Sequence, residues 1–305
     1  MDLQLSDKTA LISGSHRGTG AVIARALSAE GASVILHSDL EVACDALAEE
    51  LDADAVWGNL SSDEGCDLVL QQLHRIGEVD ILINNRGGSD GGDWSDDTEQ
   101  WLAAYQHNVL SAVRLCQAIA PEMQNRGWGR IVQLGTIGSR QPRAVMPHYY
   151  AAKAALANTT VSLCRELAGS GVTVNTVSPG YVRTPEVETW VRRWARKRSL
   201  EGDWGDIVAA FCEAEYPNPC GRIAECEEIA DLVCFLCSER AGFINGQNLM
   251  IDGGASPEAS HRIVLALDAL IPDSRFVTVP GAGHMVSITH ADAVGPVVAE
   301  FLGEE

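Results

Sequence analysis

Positive charge is scarce in this chain. Twenty-two Lys and Arg stand against 42 Asp and Glu, a formal net charge of −20 over 305 residues. So acidic a surface repels a phosphate backbone, so no nucleic-acid partner is expected. The same charge favours solubility. No apolar run approaches the roughly 20 residues that cross a bilayer, and no membrane partner is expected. The opening stretch Met1-Asp-Leu-Gln-Leu-Ser-Asp7 has neither a basic n-region nor an apolar h-region, which predicts no signal peptide. Nine cysteines, an odd number, sit mostly among apolar helix residues. They read as reduced, buried thiols and fit a cytoplasmic protein. Cys234 and Cys237 form a C-x-x-C inside a helical run, but no second pair or nearby histidine completes a zinc set, so no metal is expected. Internal repeats and low-complexity tracts are also missing.

What is there alternates. Short β-branched or apolar runs fall at 9–12, 33–36, 53–56, 79–83, 130–134 and 172–177, and a seventh at 247–251. Between them, apolar residues at three- and four-residue spacing predict helices over 20–30, 41–51, 64–76, 99–125 and 149–168. Strands joined by helical crossovers must run parallel, which predicts an α/β, doubly wound, seven-stranded sheet. The rhythm breaks at 184–222, rich in Trp, Arg and Pro. After Gly254 the chain continues with a helix–strand–helix pattern of its own. The expected division is therefore a domain at 1–255 and a C-terminal extension at 256–305.

The first strand runs into Ser13-Gly-Ser-His-Arg-Gly-Thr-Gly20 and then a helix. Gly14, Gly18 and Gly20 permit a tight turn and a close backbone approach, and the helix N-terminus supplies free N–H groups to a pyrophosphate. Ser15, His16, Arg17 and Thr19 belong to the same turn. Further on, Tyr149 and Lys153 are four apart and share one helix face. A tyrosine near pKa 10 is a poor base at neutral pH, and an ammonium beside it favours the phenolate. Tyr149 could then exchange a proton with an alcohol or ketone oxygen. Tyr150, three from Lys153, is the rival for that role.

These motifs do not stand alone. Asn84-Asn-Arg-Gly87 follows the fourth strand, Asn108 lies in His107-Asn-Val-Leu110 twenty-eight residues before Thr136, Thr136 ends the fifth strand thirteen residues before Tyr149, and Ser178-Pro-Gly-Tyr-Val-Arg-Thr184 follows the sixth. In order and spacing the set resembles the short-chain dehydrogenase/reductase family, in the subgroup that includes 3-oxoacyl-carrier-protein reductases. The resemblance covers about residues 5 to 255. It implies a Rossmann-type fold, a nicotinamide cofactor, a small-molecule substrate, a homodimer or homotetramer, and interconversion of a secondary alcohol and a ketone. On matching positions it implies that Asn108 anchors a relay water, Thr136 bonds the substrate oxygen, Tyr149 is the acid/base and Lys153 holds the nicotinamide ribose. Asn59, Leu60, Asn85, Gly87, Pro179, Gly180, Val182 and Thr184 match the family's cofactor contacts.

Three departures matter. Thr136 replaces the usual serine, keeping the hydroxyl but stiffening χ1. Arg86 stands where the family has alanine, within reach of a phosphate, a substrate anion or solvent. Arg17 often accompanies NADP, whereas Ser38 takes the place of the aspartate of NAD enzymes and Asp39 follows it. A carboxylate there repels a 2′-phosphate, and the balance falls on NAD over NADP. The basic run Trp190-Val-Arg-Arg-Trp-Ala-Arg-Lys-Arg198 reads either as a lid that attracts an anionic substrate or as a solvated face paired with Glu186, Glu188 and Glu201. Two other functions stay open: a cofactor-binding homologue without turnover, and a hydrolase. The stretch 271–284, ending in Gly283-His284, resembles the C-terminal end of α/β-hydrolases, and Gly87-Gly-Ser-Asp-Gly91 matches their Gly-x-Ser-x-Gly string around Ser89.

Overall fold

The structure, a computed structural model, describes residues 2–89 and 91–256. Seven strands form one parallel sheet: β1 (Thr9–Ile12), β2 (Ser33–Ser38), β3 (Asp54–Trp57), β4 (Ile81–Asn84), β5 (Gly129–Leu134), β6 (Val172–Pro179) and β7 (Asn248–Ile251). Their order across the sheet is β3-β2-β1-β4-β5-β6-β7. The helices are α1 (Gly18–Ala29), α2 (Asp45–Leu51), α3 (Asp63–Ile76), α4 (Thr98–Tyr105), α5 (Ser111–Arg126), α6 (Pro147–Glu166), α7 (Pro185–Arg196), α8 (Trp204–Glu215) and α9 (Cys226–Cys237).

Alternation along the strands sends neighbouring side chains to opposite faces. Ala10 and Ile12 join α1 and α9 in one core, with Ile23, Leu27, Ile229 and Val233. Leu11 joins α3 and α5 in the other, with Val69, Leu73, Leu115 and Met123. Both faces of the sheet are therefore covered, which is why β4 and β5 are buried at every position. The direction of winding reverses between β1 and β4. That reversal opens a crevice at the carboxyl ends of the strands, where ligands of such sheets bind.

The predicted helix at 99–125 is interrupted. A π-helical turn, Gln106–Leu110, separates α4 from α5. The segment 184–222 forms α7 and α8, which pack around the fully buried Phe211 in a small core of their own. All nine cysteines are free, and only Cys220 is exposed. Among the described residues no cluster of three or more metal-ligating side chains occurs, and no helix is long and apolar enough to cross a membrane. The first compact unit runs to Ser256. The expected tail, with His284, lies outside the described residues.

Candidate active site

The turn after β1 is shaped to leave room. Gly14 and Gly18 take φ of +65° and +56°, a region that favours glycine. Gly20 is excluded from carrying a side chain by space: a Cβ there would lie 2.4 Å from Asn85 Nδ2 and 2.5 Å from the Gly14 carbonyl oxygen. Asn85 Nδ2 donates to Ser13 O (3.0 Å) and Gly14 O (2.9 Å), tying the end of β4 to the turn. No side chain caps α1, and its first turn holds no acid. Its leading N–H groups and the positive end of its dipole are thus left for an anion.

The turn rests on a residue that the pattern of the sequence does not single out. His37 in β2 is 1% exposed. Its Nδ1 accepts from the Gly14 N–H (3.1 Å), and its Nε2 meets the Gly58 carbonyl oxygen (3.0 Å). That pair of partners requires a neutral ring protonated at Nε2. Burial pushes the ring's pKa down to about 4, against small opposing effects from the Gly58 carbonyl and Asp39. Ser15 completes the brace, its N–H donating to His37 O and its Oγ accepting from His37 N–H, both at 2.9 Å.

Beside this turn, Arg86 extends from the end of β4 across the crevice. Its Nε and Nη2 donate to the two carboxylate oxygens of Asp39, each at 2.7 Å. Nη2 also donates to Asn59 Oδ1 (3.0 Å) and Nη1 to His107 O (3.4 Å). With its side chain 8% exposed, Arg86 does not point to solvent. Burial draws the Asp39 carboxyl upward, but the guanidinium outweighs it and leaves the carboxyl below its ordinary range. Asp39 is therefore not the free carboxylate on which the NAD reading rests. Ser38 is also engaged, its hydroxyl turned into its own loop with the backbone of Leu40 as partner on both sides. Leu60 is fully buried. Arg17 pairs instead with Glu186 at the start of α7 (3.1 Å). Burial and that cation lower the pKa of His16.

The structure brings the four expected catalytic residues to one end of the sheet. Thr136 follows β5, and Tyr149 and Lys153 lie on the first turns of α6. The Thr136 hydroxyl, which accepts from Gly138 N–H (3.2 Å), is close enough to the Tyr149 phenol to favour its ionised form. Burial, with Tyr150 close by, nonetheless pushes the phenol up to about 12. Lys153 Nζ donates to Leu134 O (2.7 Å), and burial pulls its ammonium down to about 8. Gly87 is pressed against the pair: a Cβ there would lie 2.7 Å from Asn108 Oδ1 and 2.8 Å from Lys153 Nζ. Asn108 sits in the π-helical turn, a distortion frequent at functional sites. Its Oδ1 accepts from Gly88 N–H (2.9 Å), and its Nδ2 donates to Gly88 O (2.9 Å) and Ala104 O (3.0 Å). The side chain clamps the loop after β4, so a relay water would need another atom of this turn. Tyr150 turns its ring onto Gly138, whose Cβ would fall 2.1 Å from it.

Thr136 and Tyr149 line a cavity of about 450 Å³. Ile137, Tyr181, Val187, Tyr216 and Pro217 supply apolar and aromatic wall. Gly180 has no space for a side chain beneath the Tyr216 hydroxyl. Pro179, Val182 and Thr184 border the same cavity, and Thr184 also caps α7, its Oγ1 accepting from Val187 N–H (3.3 Å). The polar lining is Gln141 and the pair Arg143–Glu215 (3.3 Å), with Arg143 also donating to the Tyr181 hydroxyl (3.2 Å). None of the basic residues 192–198 borders it. Arg192 binds Glu188 (2.6 Å), Arg198 binds Glu215 (3.1 Å), and Arg193 and Arg196 are exposed. Of the two readings of this basic run, the structure favours the paired and solvated face, and Arg143 is the cation lining the cavity. Ser89 lies in a loop, bonded to Gly91, with no helix behind it to form a nucleophile elbow.

The glycine cradle and the uncapped helix fit a dinucleotide laid across the crevice. Comparison with known proteins agrees. Residues 14–256 match the family model described as enoyl-(acyl carrier protein) reductase. The chain is 32% identical to the 3-oxoacyl-[acyl-carrier-protein] reductase of Escherichia coli over 256 residues, 83% of this chain and 98% of that one. An uncharacterized oxidoreductase of Bacillus subtilis is also 32% identical, over 260 residues and the same shares. The solved structure of L-sorbose reductase from Gluconobacter frateurii, complexed with NADPH and L-sorbose, superposes with a TM-score of 0.77 at 30% identity, covering 85% of this chain and all of that one. A 3-oxoacyl (acyl-carrier-protein) reductase from Agrobacterium tumefaciens with NADP bound gives 0.74 at 31% identity, covering 83% and 96%.

Proposed function

The chain belongs to the short-chain dehydrogenase/reductase family and is an NAD(P)-dependent oxidoreductase, and from that premise we propose that it reduces a ketone to a secondary alcohol with Tyr149 as proton donor. The observation that carries this reading is that Thr136 and Tyr149 line one cavity, with Lys153 one helical turn on from the tyrosine. When bound, the nicotinamide supplies or accepts the hydride. Everything else falls to this chain's own groups. Thr136 positions the phenol and offers a second hydroxyl to a carbonyl oxygen. Tyr149, with its pKa near 12, is fully protonated at neutral pH. That suits donation to an alkoxide forming at the substrate, which is the stronger base. The reverse direction needs the phenolate, so oxidation should gain with rising pH.

The cavity fits a mid-sized ketone with an apolar or aromatic flank against Tyr181 and Tyr216, and a polar or anionic group toward Arg143. A 3-oxoacyl thioester, a keto acid, a cyclic ketone and a keto sugar span that range. We also propose the homodimer or homotetramer common in this family. The test is consumption of NADH or NADPH by the purified protein against these four substrate types. One or more should turn over, and Tyr149→Phe should lower kcat by a hundredfold or more with cofactor affinity changed less than threefold. Thr136→Ala should cost about tenfold, recovered in Thr136→Ser. An unchanged rate in Tyr149→Phe would remove the acid/base assignment. Cofactor binding without turnover of any substrate would favour the non-catalytic reading.

A further inference from the structure

Arg86 is placed where the two signs of cofactor selection meet. In sheets of this winding, the carboxylate after the second strand marks the position of the adenosine ribose 2′ oxygen, and a nearby arginine there accommodates a 2′-phosphate. Here both groups are present and bonded to each other. Arg86 starts at the end of β4, passes against Gly14, whose Cβ would lie 3.1 Å from the Arg86 Cα, and ends on Asp39 after β2 and Asn59 after β3. The guanidinium therefore lies across the β1–β2–β3 half of the crevice, at the ends of the strands that would flank the adenosine. Its fork is bidentate on the Asp39 carboxylate, the geometry that also suits a phosphate. Asp39 is partly exposed while Arg86 is not, so the carboxylate is the partner free to swing out.

We propose that Arg86 is the specificity-determining residue for a 2′-phosphate in this chain, with Asp39 as its resting counter-ion. An incoming 2′-phosphate takes over the guanidinium fork from Asp39. Pairing also cancels the charge through which a lone Asp39 would repel that phosphate. Arg17, by contrast, is highly exposed and reaches toward Glu186 on α7, with no contact to Asp39 or Asn59. The inference deepens the oxidoreductase reading and rests on it: the site must first bind a dinucleotide.

The experiment uses the full chain and two probes that lack nicotinamide, adenosine 2′,5′-bisphosphate and adenosine 5′-monophosphate, titrated by calorimetry. NADH and NADPH are titrated in parallel by nicotinamide fluorescence. The wild-type protein should bind the bisphosphate at least tenfold more tightly than the monophosphate. Arg86→Ala should collapse that ratio to one or below, leave the NADH dissociation constant within threefold, and flatten the salt dependence of NADPH binding. Arg86→Lys should fall between, keeping the charge and losing the fork. Asp39→Asn should raise the ratio by freeing the guanidinium. A ratio unchanged in both Arg86 variants, with dinucleotides still bound, overturns this inference and leaves the oxidoreductase reading intact. A wild-type protein that binds none of the four probes overturns both. Because Arg86 braces several loops, the melting temperature of each variant is measured first. If Arg86→Ala does not fold, Arg86→Lys and Asp39→Asn decide the question.

Discussion

His37 ties the glycine turn after β1 to pH through a single proton. Its folded-state pKa near 4 lies below the ordinary 6.5, so between those values the unfolded chain binds a proton that the folded chain refuses. Stability is full above pH 6.5 and is lost as pH falls toward 4. The loss is about 2 kcal/mol by pH 5 and about 3 kcal/mol at the limit, as the size of the shift requires. A His37→Gln variant, which keeps a donor and an acceptor without a titrating ring, should melt with a flatter pH dependence between pH 4.5 and 7. Parallel curves for the two proteins would mean that the imidazole does not control the turn. Charging the ring also removes the acceptor for the Gly14 N–H, so the cradle and the fold should weaken together. This residue and the Arg86–Asp39 pair were not legible in the chain for the same reason. Their partners are 23 and 47 residues away: Arg86 and Asp39 each stand out in the chain, but nothing local shows that they pair, and nothing local marks His37. Tyr149 with Lys153, and the glycines of the turn, were legible because helix spacing and turn geometry are local properties.

Between residue and fold, the informative element is the π-helical turn between α4 and α5. Periodicity reads 99–125 as one helix, since a π turn adds one residue per turn without disturbing the apolar stripe on either side. The insertion rotates Asn108 inward, where it is buried and holds both backbone groups of Gly88. Arg86 reaches the same turn through His107 O, so the turn braces both the loop after β4 and, through Arg86, the loops after β2 and β3. Asn108→Leu should remove the clamp and orphan the Gly88 N–H and carbonyl, at about 1–3 kcal/mol of stability. The cofactor-free protein is the right sample, because a purely catalytic asparagine would leave its melting temperature unchanged. Faster amide exchange near Gly87 and Gly88 should accompany the loss. Unchanged exchange would show that the loop holds its shape without Asn108. The strands and the other long helices fell within a few residues of their predicted places, because continuous apolar runs and three-to-four spacing state directly which surfaces are buried.

For the whole molecule, strand–helix alternation requires a parallel sheet but does not by itself say where its winding reverses. Right-handed crossovers allow β1 to β2 to β3 to proceed outward on one side, after which β4 returns beside β1 and β5 to β7 extend the other way. That return creates the crevice, and with it the position of every candidate site residue. The chain is tied down just beyond its last strand, an edge of the open sheet. The Tyr216 hydroxyl donates to Asp252 O (2.7 Å), and the Asp252 carboxylate accepts from Gly254 N–H (3.0 Å) and Ser256 N–H (2.9 Å). The chain after β7 is thus terminated by its own hydrogen bonds at the residue where the first compact unit ends. A chain stopped after Ser256 should fold, melt in one cooperative transition within about 5 °C of the full chain, and bind the same cofactor within threefold, since 1 kcal/mol shifts a domain of this size by only 2–4 °C. Light scattering on both proteins adds the oligomeric state. A smaller assembly with unchanged cofactor affinity would assign residues 257–305 to subunit contact. Loss of cofactor binding by a truncated chain that still folds would instead assign them to the site, and the single-unit account of catalysis would have to give way.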